Sequence, residues 1–194
     1  TGASILTNIG KSFEHNNNII TTLSYVYRNK PSYSYECLIN YAGATISWLK
    51  NNLKIISNER ETDQVFIKTK NTEGVVFVPA FVGLSSPHWK PNSKALIYGL
   101  TPSTNKNHII RAALESIAFQ IKDYLDDLNI KNKIKYNYIF IDGGIVSNTS
   151  FIQFLTNTLN KKIYVTNYQD MSSYGALMMG LLGMKIKKSF KEMK

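Results

Sequence analysis

The sequence predicts an α/β fold in which a mixed β-sheet is covered by helices. In the second half of the chain, helical patterns of apolar residues alternate with short apolar runs that are typical of buried strands. The first half begins with β-branched and aromatic segments, within residues 1–6 and 19–27, which favour two strands joined by a loop. No internal repeat interrupts this order. We therefore expect five to six strands in one layer, with helices packed on it.

The composition favours a compact globular protein and excludes several other classes. The 194 residues suffice for a sizeable core, and the formal net charge of +10 comes from lysines dispersed among asparagines. Because no basic stripe is interleaved with stacking aromatics, no nucleic-acid partner is expected. No apolar run approaches the roughly 18 residues of a membrane span. The single cysteine, Cys37, excludes an internal disulfide framework and indicates a reducing, cytoplasmic location.

The first half of the chain predicts one helix followed by loops and short strands. Apolar residues recur at spacings of three and four over residues 33–50, which predicts an amphipathic helix. Gly43 would lie in its interior at a cost of about 1 kcal/mol relative to alanine, so a close neighbour, either a helix or a ligand, is expected there. Residues 51–71 predict loop with a short helix, and residues 75–78 and 95–100 predict strands.

Between those two strands, the glycines and prolines of residues 80–89 predict an irregular loop whose aromatics pack over the core. His88 in this loop has no Asp or Ser at a triad-like spacing, so we expect a structural role for it. The longest helix is predicted at residues 110–128. Arg111 and Glu115 lie one turn apart on it, which predicts a solvated ion-pair face.

The remaining elements surround a double glycine. Residues 138–141 predict a buried strand that ends at Asp142-Gly143-Gly144, and a helix is predicted from Asn148 or Thr149. A glycine lets the backbone approach a ligand closely, while a helix start directs N–H groups and a positive dipole end to the same place. An anionic or polar ligand fits there, and a turn without a ligand is the alternative. A strand at residues 163–166 and a helix at residues 174–183 follow.

Specific motifs run in order along nearly the whole chain: Thr1-Gly2, Tyr41-Ala42-Gly43-Ala44-Thr45-Ile46-Ser47-Trp48-Leu49, Val78-Pro79-Ala80-Phe81, Pro87-His88-Trp89, Ile97-Tyr98-Gly99-Leu100-Thr101, Asn107-His108-Ile109-Ile110-Arg111-Ala112, Asp142-Gly143-Gly144 with Asn148, and Tyr174-Gly175-Ala176. Through them the chain resembles the C-terminal half of the FGGY sugar and polyol kinases, the glycerol kinases among them. The resemblance implies a ribonuclease H-like, actin-type ATPase domain over residues 1–184. Residues 185–194 are then a basic tail that is truncated relative to the family.

The same resemblance implies an enzyme that moves the γ-phosphoryl group of ATP to a hydroxyl of glycerol, with ATP/ADP and Mg²⁺ as cofactors. Thr1 is similar to the family's phosphate-contacting threonine. Gly43 and Ile46 resemble nucleotide-facing positions of the first helix. Gly144 and Asn148 resemble the glycine and asparagine on the adenosine side.

Two residues depart from the family pattern. Ser47 stands where the family carries a glutamine near the adenine nucleotide, and its shorter side chain weakens the expectation of tight ATP binding. Ser4 stands where glycerol kinases carry a phenylalanine that packs on glycerol. The alternatives are therefore a kinase of another polyol or sugar, or a non-catalytic nucleotide-binding remnant of a decaying or split gene.

No catalytic or metal-ligating residue is expected in this chain, because the family's aspartate base and metal carboxylates precede the position of Thr1. We expect the isolated chain to be inactive, since phosphoryl transfer needs an aligned nucleophile and metal ligands. The partners implied are an adenine nucleotide and, together with the first domain, glycerol or a similar polyol. A homo-oligomer of the full-length enzyme is also compatible with the resemblance.

Overall fold

The N-terminal part of the chain forms a three-stranded antiparallel sheet. A computed structural model describes residues 2–16, 18–132, 134–168 and 170–193, without the side chains of residues 130–132. Its first strands are β1 (Ala3–Gly10), β2 (Ile20–Tyr27) and β3 (Lys30–Ile39), in the order β1-β3-β2. Arg28 and Asn29 connect β2 to β3 with φ angles of 51° and 59°. Two left-handed residues in succession match the right-handed twist of a hairpin, which explains the tight turn.

Strand β3 occupies a segment for which the sequence predicted a helix. The helix predicted from residue 33 is wrong in its first part, because β3 runs to Ile39 and the helix α1 (Gly43–Asn51) begins only afterwards. The central position of β3, with both edges paired, outweighs the local helical spacing. Gly43 is consequently the first residue of α1 and not an interior one, so the expected cost of a glycine inside the helix does not arise.

The middle of the chain agrees with the prediction. Helix α2 (Glu61–Lys68) is the short helix expected in the polar region, and β4 (Val76–Val78) pairs antiparallel with β5 (Leu96–Tyr98). The loop between these strands packs over the core as expected. Its Phe81 ring lies with its centroid 4.8 Å from that of Trp48 on α1.

The last third of the chain contains, in order, α3 (Lys106–Asn132), β6 (Tyr138–Ile141), a 3-10 turn (Gly144–Ser147), α4 (Thr149–Leu159), β7 (Lys162–Val165) and α5 (Met171–Gly183). Strands β6 and β7 are parallel, with α4 as the crossover between them. The predicted order of elements is thus confirmed in this region. In the part of the chain that the structure describes, however, the strands form three sheets of three, two and two strands. The expectation of one layer of five to six strands is therefore wrong for these residues.

Helix α3 lies at the centre of the core. Seven of its described residues are at most 2% exposed: Ile110, Ala113, Leu114, Ile117, Ala118, Tyr124 and Leu128. They belong to one cluster with buried residues of β3, α1, α2, β4 and α4. Cys37 on β3 is part of this cluster, and burial raises the pKa of its thiol to about 12. A thiol with such a pKa stays protonated and unreactive at neutral pH.

The charges on α3 are not all solvated. Arg111 Nε lies 2.7 Å from Glu115 Oε1, and the two side chains are only 11% and 14% exposed. The guanidinium also donates to the carbonyl of Phe66, at 2.9 Å, and to that of Thr69. The predicted solvated ion-pair face is therefore wrong for this pair. The reason is tertiary, because Arg111 ends up beneath the C-terminal end of α2, with its guanidinium 4.2 Å from the centroid of the Phe66 ring.

Three further observations complete the fold. His88 Nε2 lies 3.1 Å from Asp123 Oδ2 on α3, and both side chains are about half exposed. His88 therefore has an acidic partner at the surface, which the spacing of residues in the sequence did not reveal. In the tail, Phe190 packs on β2, with its centroid 5.0 Å from that of Tyr27. None of the described helices combines the length and the apolar character needed to cross a bilayer.

We predict that Arg111→Ala lowers the free energy of unfolding by about 3–5 kcal/mol. The substitution leaves the largely desolvated Glu115 carboxylate, the Phe66 carbonyl of α2 and the Thr69 carbonyl just after α2 without their cationic partner. Urea denaturation measures the loss. The matched control is Lys122→Ala on the same helix, which removes a 2.8 Å pair with Asp126 whose side chains are 41% and 46% exposed, and should cost about 0.5 kcal/mol or less. Equal losses of unfolding free energy in the two variants would show that the Arg111 contacts stabilise the fold no more than an exposed ion pair does.

Candidate functional site

A cavity of about 2210 Å³ lies between the three-stranded sheet and strand β6. Its lining includes every residue from Gly2 to Asn8, the start of α1, the double-glycine turn and the first turns of α5. The structure brings six of the seven residues singled out in the sequence to this one lining: Ser4, Gly43, Ile46, Ser47, Gly144 and Asn148. The seventh, Thr1, lies outside the described residues.

The two glycines after β6 play different conformational parts. Gly143 has φ 89° and ψ −179°, a backbone region that is essentially restricted to glycine. Gly144 begins the 3-10 turn at an ordinary φ, and no atom lies within 4 Å of the place where its Cβ would stand. The positive φ of this turn therefore falls on Gly143, while Gly144 borders open space in the cavity.

Asn148 connects this turn to the helices behind it. Its Oδ1 accepts a hydrogen bond from the backbone N–H of Phe151 at 2.8 Å, which caps α4. Its Nδ2 donates to Thr62 Oγ1 on α2 at 3.2 Å, and the residue is only 7% exposed. Asn148 thus holds α4 against α2. An amide can make four hydrogen bonds, so these two leave part of its capacity for a ligand.

The start of α1 presents small residues to the cavity. Ala42 at the N-cap has no side chain that could cap the helix. Ser47 Oγ donates to the carbonyl of Gly43, one turn earlier, at 3.3 Å. Ile46 is 6% exposed and belongs mainly to the core. Of the three candidate residues on α1, Gly43 and Ser47 are therefore the two that a ligand in the cavity can reach.

Asp142 brings a third helix start to the same place. Its Oδ2 accepts a hydrogen bond from the first backbone N–H of α5, at Met171, at 2.9 Å. Asp170 caps that helix by accepting from the Ser173 N–H and from its hydroxyl, at 3.0 and 2.6 Å, and the hydroxyl bond in particular lowers the pKa of Asp170. Sequence reasoning began this helix at Tyr174 and missed its first turn, although Asp170 is a favourable capping residue.

Further groups were placed at the cavity only by the structure. Gly175 and Ala176, of a motif that carried the family resemblance, line it from α5 together with Ser172. Arg60 lines it as an exposed cation at the N-cap of α2. No sequence motif distinguished Arg60, because it lies in a polar segment without regular spacing.

Ser4 lies on the exposed side of β1, where its Oγ donates to Glu36 Oε1 on β3 at 2.8 Å. Among the described residues, no group of three or more His, Cys, Asp or Glu side chains could hold a metal ion. The arrangement therefore offers glycine backbone, three helix starts and a nearby arginine to a polar or anionic ligand.

The chain is similar to known kinases over nearly its whole length. Residues 2–184 match the model of the FGGY family of carbohydrate kinases, C-terminal domain. The glycerol kinase of Aeromonas hydrophila is 38% identical over 194 residues, which are 100% of this chain and 39% of that protein. The glycerol kinase of Vibrio cholerae is 38% identical over 177 residues, which are 91% of this chain and 35% of that protein. The chain thus spans well under half the length of these relatives.

Solved structures agree with this result. A glycerol kinase from Plasmodium falciparum, determined with ADP, superposes with a TM-score of 0.87 at 38% identity. The superposition covers 98% of this chain and 38% of the Plasmodium chain. A xylulose kinase from Lactobacillus acidophilus superposes with a TM-score of 0.82 at 20% identity over 99% of this chain and 39% of its own, which supports the fold alone. The expected actin-type, ribonuclease H-like fold is confirmed. The chain belongs to the FGGY family of carbohydrate kinases and corresponds to the C-terminal domain of its members.

Proposed function

We propose that this chain is the nucleotide-binding half of an ATP-dependent glycerol kinase-like enzyme, which converts ATP and glycerol to ADP and glycerol 3-phosphate. The observation that carries the proposal is the 38% identity, over 98% of the chain, to a glycerol kinase determined with ADP. The convergence of the candidate residues on one cavity supports it. A glycine-lined surface at several helix starts is chemically suited to phosphate groups.

In this proposal, ADP or ATP lies along the wall made by the double-glycine turn and the start of α1. Gly144 borders open space, so a nucleoside can approach its backbone closely. Gly43 and Ser47 face the nucleotide from α1 and Asn148 from behind the turn, while Ile46 supports this wall from the core. Thr1 is assigned to the phosphates by the family resemblance.

Catalysis requires groups beyond these residues. Phosphoryl transfer depends on positioning and on stabilising negative charge. Mg²⁺ in kinases is usually held by one or two carboxylates together with the substrate phosphates, and the described residues bring no three metal-ligating side chains together that could hold it alone. The glycerol kinase relatives are longer than this chain. We assign Mg²⁺, the catalytic base and most glycerol contacts to the part of such a kinase that lies outside the matched region. The isolated chain is accordingly proposed to have no kinase activity.

The other expectations remain part of the proposal. A cytoplasmic location rests on the single, buried cysteine. Neither a nucleic-acid partner nor a membrane partner is proposed, and a homo-oligomer of the full-length enzyme stays compatible with the family. Ser4 favours a second candidate, a kinase of another polyol or sugar, because the apolar ring that would pack on glycerol is replaced by a hydroxyl. Ser47 favours a third, a nucleotide-binding remnant without activity.

We predict that Gly144→Val weakens ADP binding by about tenfold or more while the free energy of unfolding changes by less than about 0.5 kcal/mol. A valine side chain at this position enters the open space assigned to the nucleotide and meets no protein atom within 4 Å of its Cβ. Isothermal titration with ADP and urea denaturation measure the two effects. The control is Gly180→Val on α5, which is equally uncrowded and lies off the cavity lining.

A second variant, Gly143→Ala, measures how much backbone strain at this turn affects the stability of the fold. With φ at 89°, alanine there should destabilise the fold by about 1–3 kcal/mol.

Unchanged ADP affinity in Gly144→Val would contradict the proposed nucleotide position. Absence of any ADP binding by the unmodified chain would contradict both the proposed kinase half and the nucleotide-binding remnant.

The identity of the polyol is tested by Ser4→Phe in the full-length enzyme. Restoring an aromatic wall should lower the KM for glycerol by about fivefold to tenfold and leave the KM for ATP unchanged. Steady-state assays with a panel of polyols measure this, with Leu23→Phe, an exposed β2 position off the cavity lining, as control. If Ser4→Phe instead impairs the best substrate, the enzyme acts on a bulkier polyol. No response with any substrate would show that residue 4 does not line the substrate pocket.

A further inference from the structure

Two side chains of opposite charge line the cavity at the start of α2. They are Glu59 and Arg60, and Arg60 is the N-cap residue of the helix. Glu59 accepts a hydrogen bond from Lys50 Nζ at 3.0 Å, and this bond in particular lowers the pKa of its carboxyl group, which is therefore ionised at neutral pH. Among the described residues, none forms an ion pair or a hydrogen bond with the Arg60 guanidinium. The N–H donors of this arginine are thus available to a ligand in the cavity.

The contacts of α2 place these two charges near the nucleoside end of the proposed site. Thr62 Oγ1 accepts a hydrogen bond from Asn148 Nδ2 at 3.2 Å, and Asp63 Oδ1 accepts one from the backbone N–H of Ser150 at 3.3 Å. The first turn of α2 is therefore fixed to the turn beside which the proposed function places the nucleoside. The two charges directly precede this anchored turn, so they are neighbours of the base of a bound nucleotide.

The two purine bases differ in the hydrogen-bonding groups that they present to such a pair of charges. Guanine has two adjacent acceptors, O6 and N7, and on its next edge the donors N1–H and the 2-amino group. Adenine has the acceptor N7 beside a donor, its 6-amino group, and its N1 is an acceptor. A guanidinium has only donors, and an ionised carboxylate has only acceptors.

Arg60 and Glu59 therefore complement guanine better than adenine. The guanidinium can donate to O6 and N7 of guanine together, whereas on adenine one of its donors would face the 6-amino group. The carboxylate can accept from N1–H and the 2-amino group of guanine, whereas N1 of adenine would turn a lone pair toward it.

The other polar side chains at this end are already engaged within the protein. Ser47 on α1 donates its hydroxyl to the carbonyl of Gly43 at 3.3 Å. An asparagine amide is well suited to adenine, but Asn148 uses its Oδ1 for the N–H of Phe151 and its Nδ2 for Thr62. Neither residue thus has its full set of donors and acceptors to select adenine, and the selection falls to the two charges.

We propose that this site accepts guanine nucleotides at least as well as adenine nucleotides, with Arg60 bound to O6 and N7 of the base and Glu59 to its N1–H and 2-amino group. The inference rests on the proposed function for the position of the nucleoside, and it goes beyond that function in the identity of the base.

Isothermal titration of the chain with GDP and with ADP tests this proposal. We expect the Kd for GDP to be equal to or below the Kd for ADP. Arg60→Ala should weaken GDP binding by about tenfold or more and ADP binding by no more than about twofold. Arg60→Lys keeps the positive charge but loses the planar fork of donors, so it should weaken GDP binding nearly as much.

Two controls accompany the titration. Lys68→Ala removes an exposed cation from the other end of α2, off the cavity lining, and should change neither affinity. Inosine diphosphate keeps O6, N7 and N1–H but lacks the 2-amino group. It should therefore bind more weakly than GDP and remain as sensitive to Arg60→Ala as GDP is.

The outcomes separate this inference from the proposed function. GDP binding more than about tenfold weaker than ADP binding would overturn the guanine contact and leave the proposed nucleotide site standing. Equal losses of GDP and ADP affinity in Arg60→Ala would also overturn it, because Arg60 would then act on the phosphates that both ligands share. If neither nucleotide binds, the proposed function and this inference both fail.

Discussion

The burial of α3 is the constraint on which the rest of the structure depends. This one helix contributes Ile110, Ala113, Leu114 and Ile117 to a cluster that also holds residues of β3, α1, α2 and α4. Each large aliphatic side chain buried in this way contributes about 1.5–3 kcal/mol. The three-stranded sheet contacts α3 through β3, and the β6–β7 pair contacts α4, which packs on α3. The position of α3 therefore decides where these sheets and the helix starts meet. The Arg111 contacts with Glu115 and α2 add a polar tie to this apolar arrangement.

The candidate site is a consequence of that packing. Helix α4 is capped by Asn148, which also bonds α2, and α5 is held at Asp142 through the Met171 N–H. These bonds bring the double-glycine turn and the start of α5 together at the C-terminal end of β6. Ligands in α/β proteins commonly lie at such strand ends, because the following turns expose backbone N–H groups there. The proposed nucleotide position thus depends on the hydrogen bonds with which the chain caps the backbone N–H groups at the starts of α4 and α5.

Part of the surface around the cavity is apolar. A chain of this length normally buries its apolar strands, whereas Leu6, Tyr138 and Phe140 are each more than half exposed. They line the cavity of the candidate site, and the apolar α5 also has no fully buried residue. Exposed apolar surfaces of this kind often mark sites of contact with another part of a protein or with a ligand.

The sequence by itself determined the family, the α/β class and most helices and strands after residue 60, because these depend on local periodicity, glycines and in-order motifs. It also singled out Gly43, Gly144 and Asn148, which the structure brings to one cavity. Tertiary structure alone decided that residues 30–39 form a central strand, that Arg111 is partly buried against α2, and that the described strands stand in separate sheets. These features depend on which segments lie beside each other in space. Pairing at both edges of β3 and the position of α2 above Arg111 are long-range contacts, and local spacing carries no information about them.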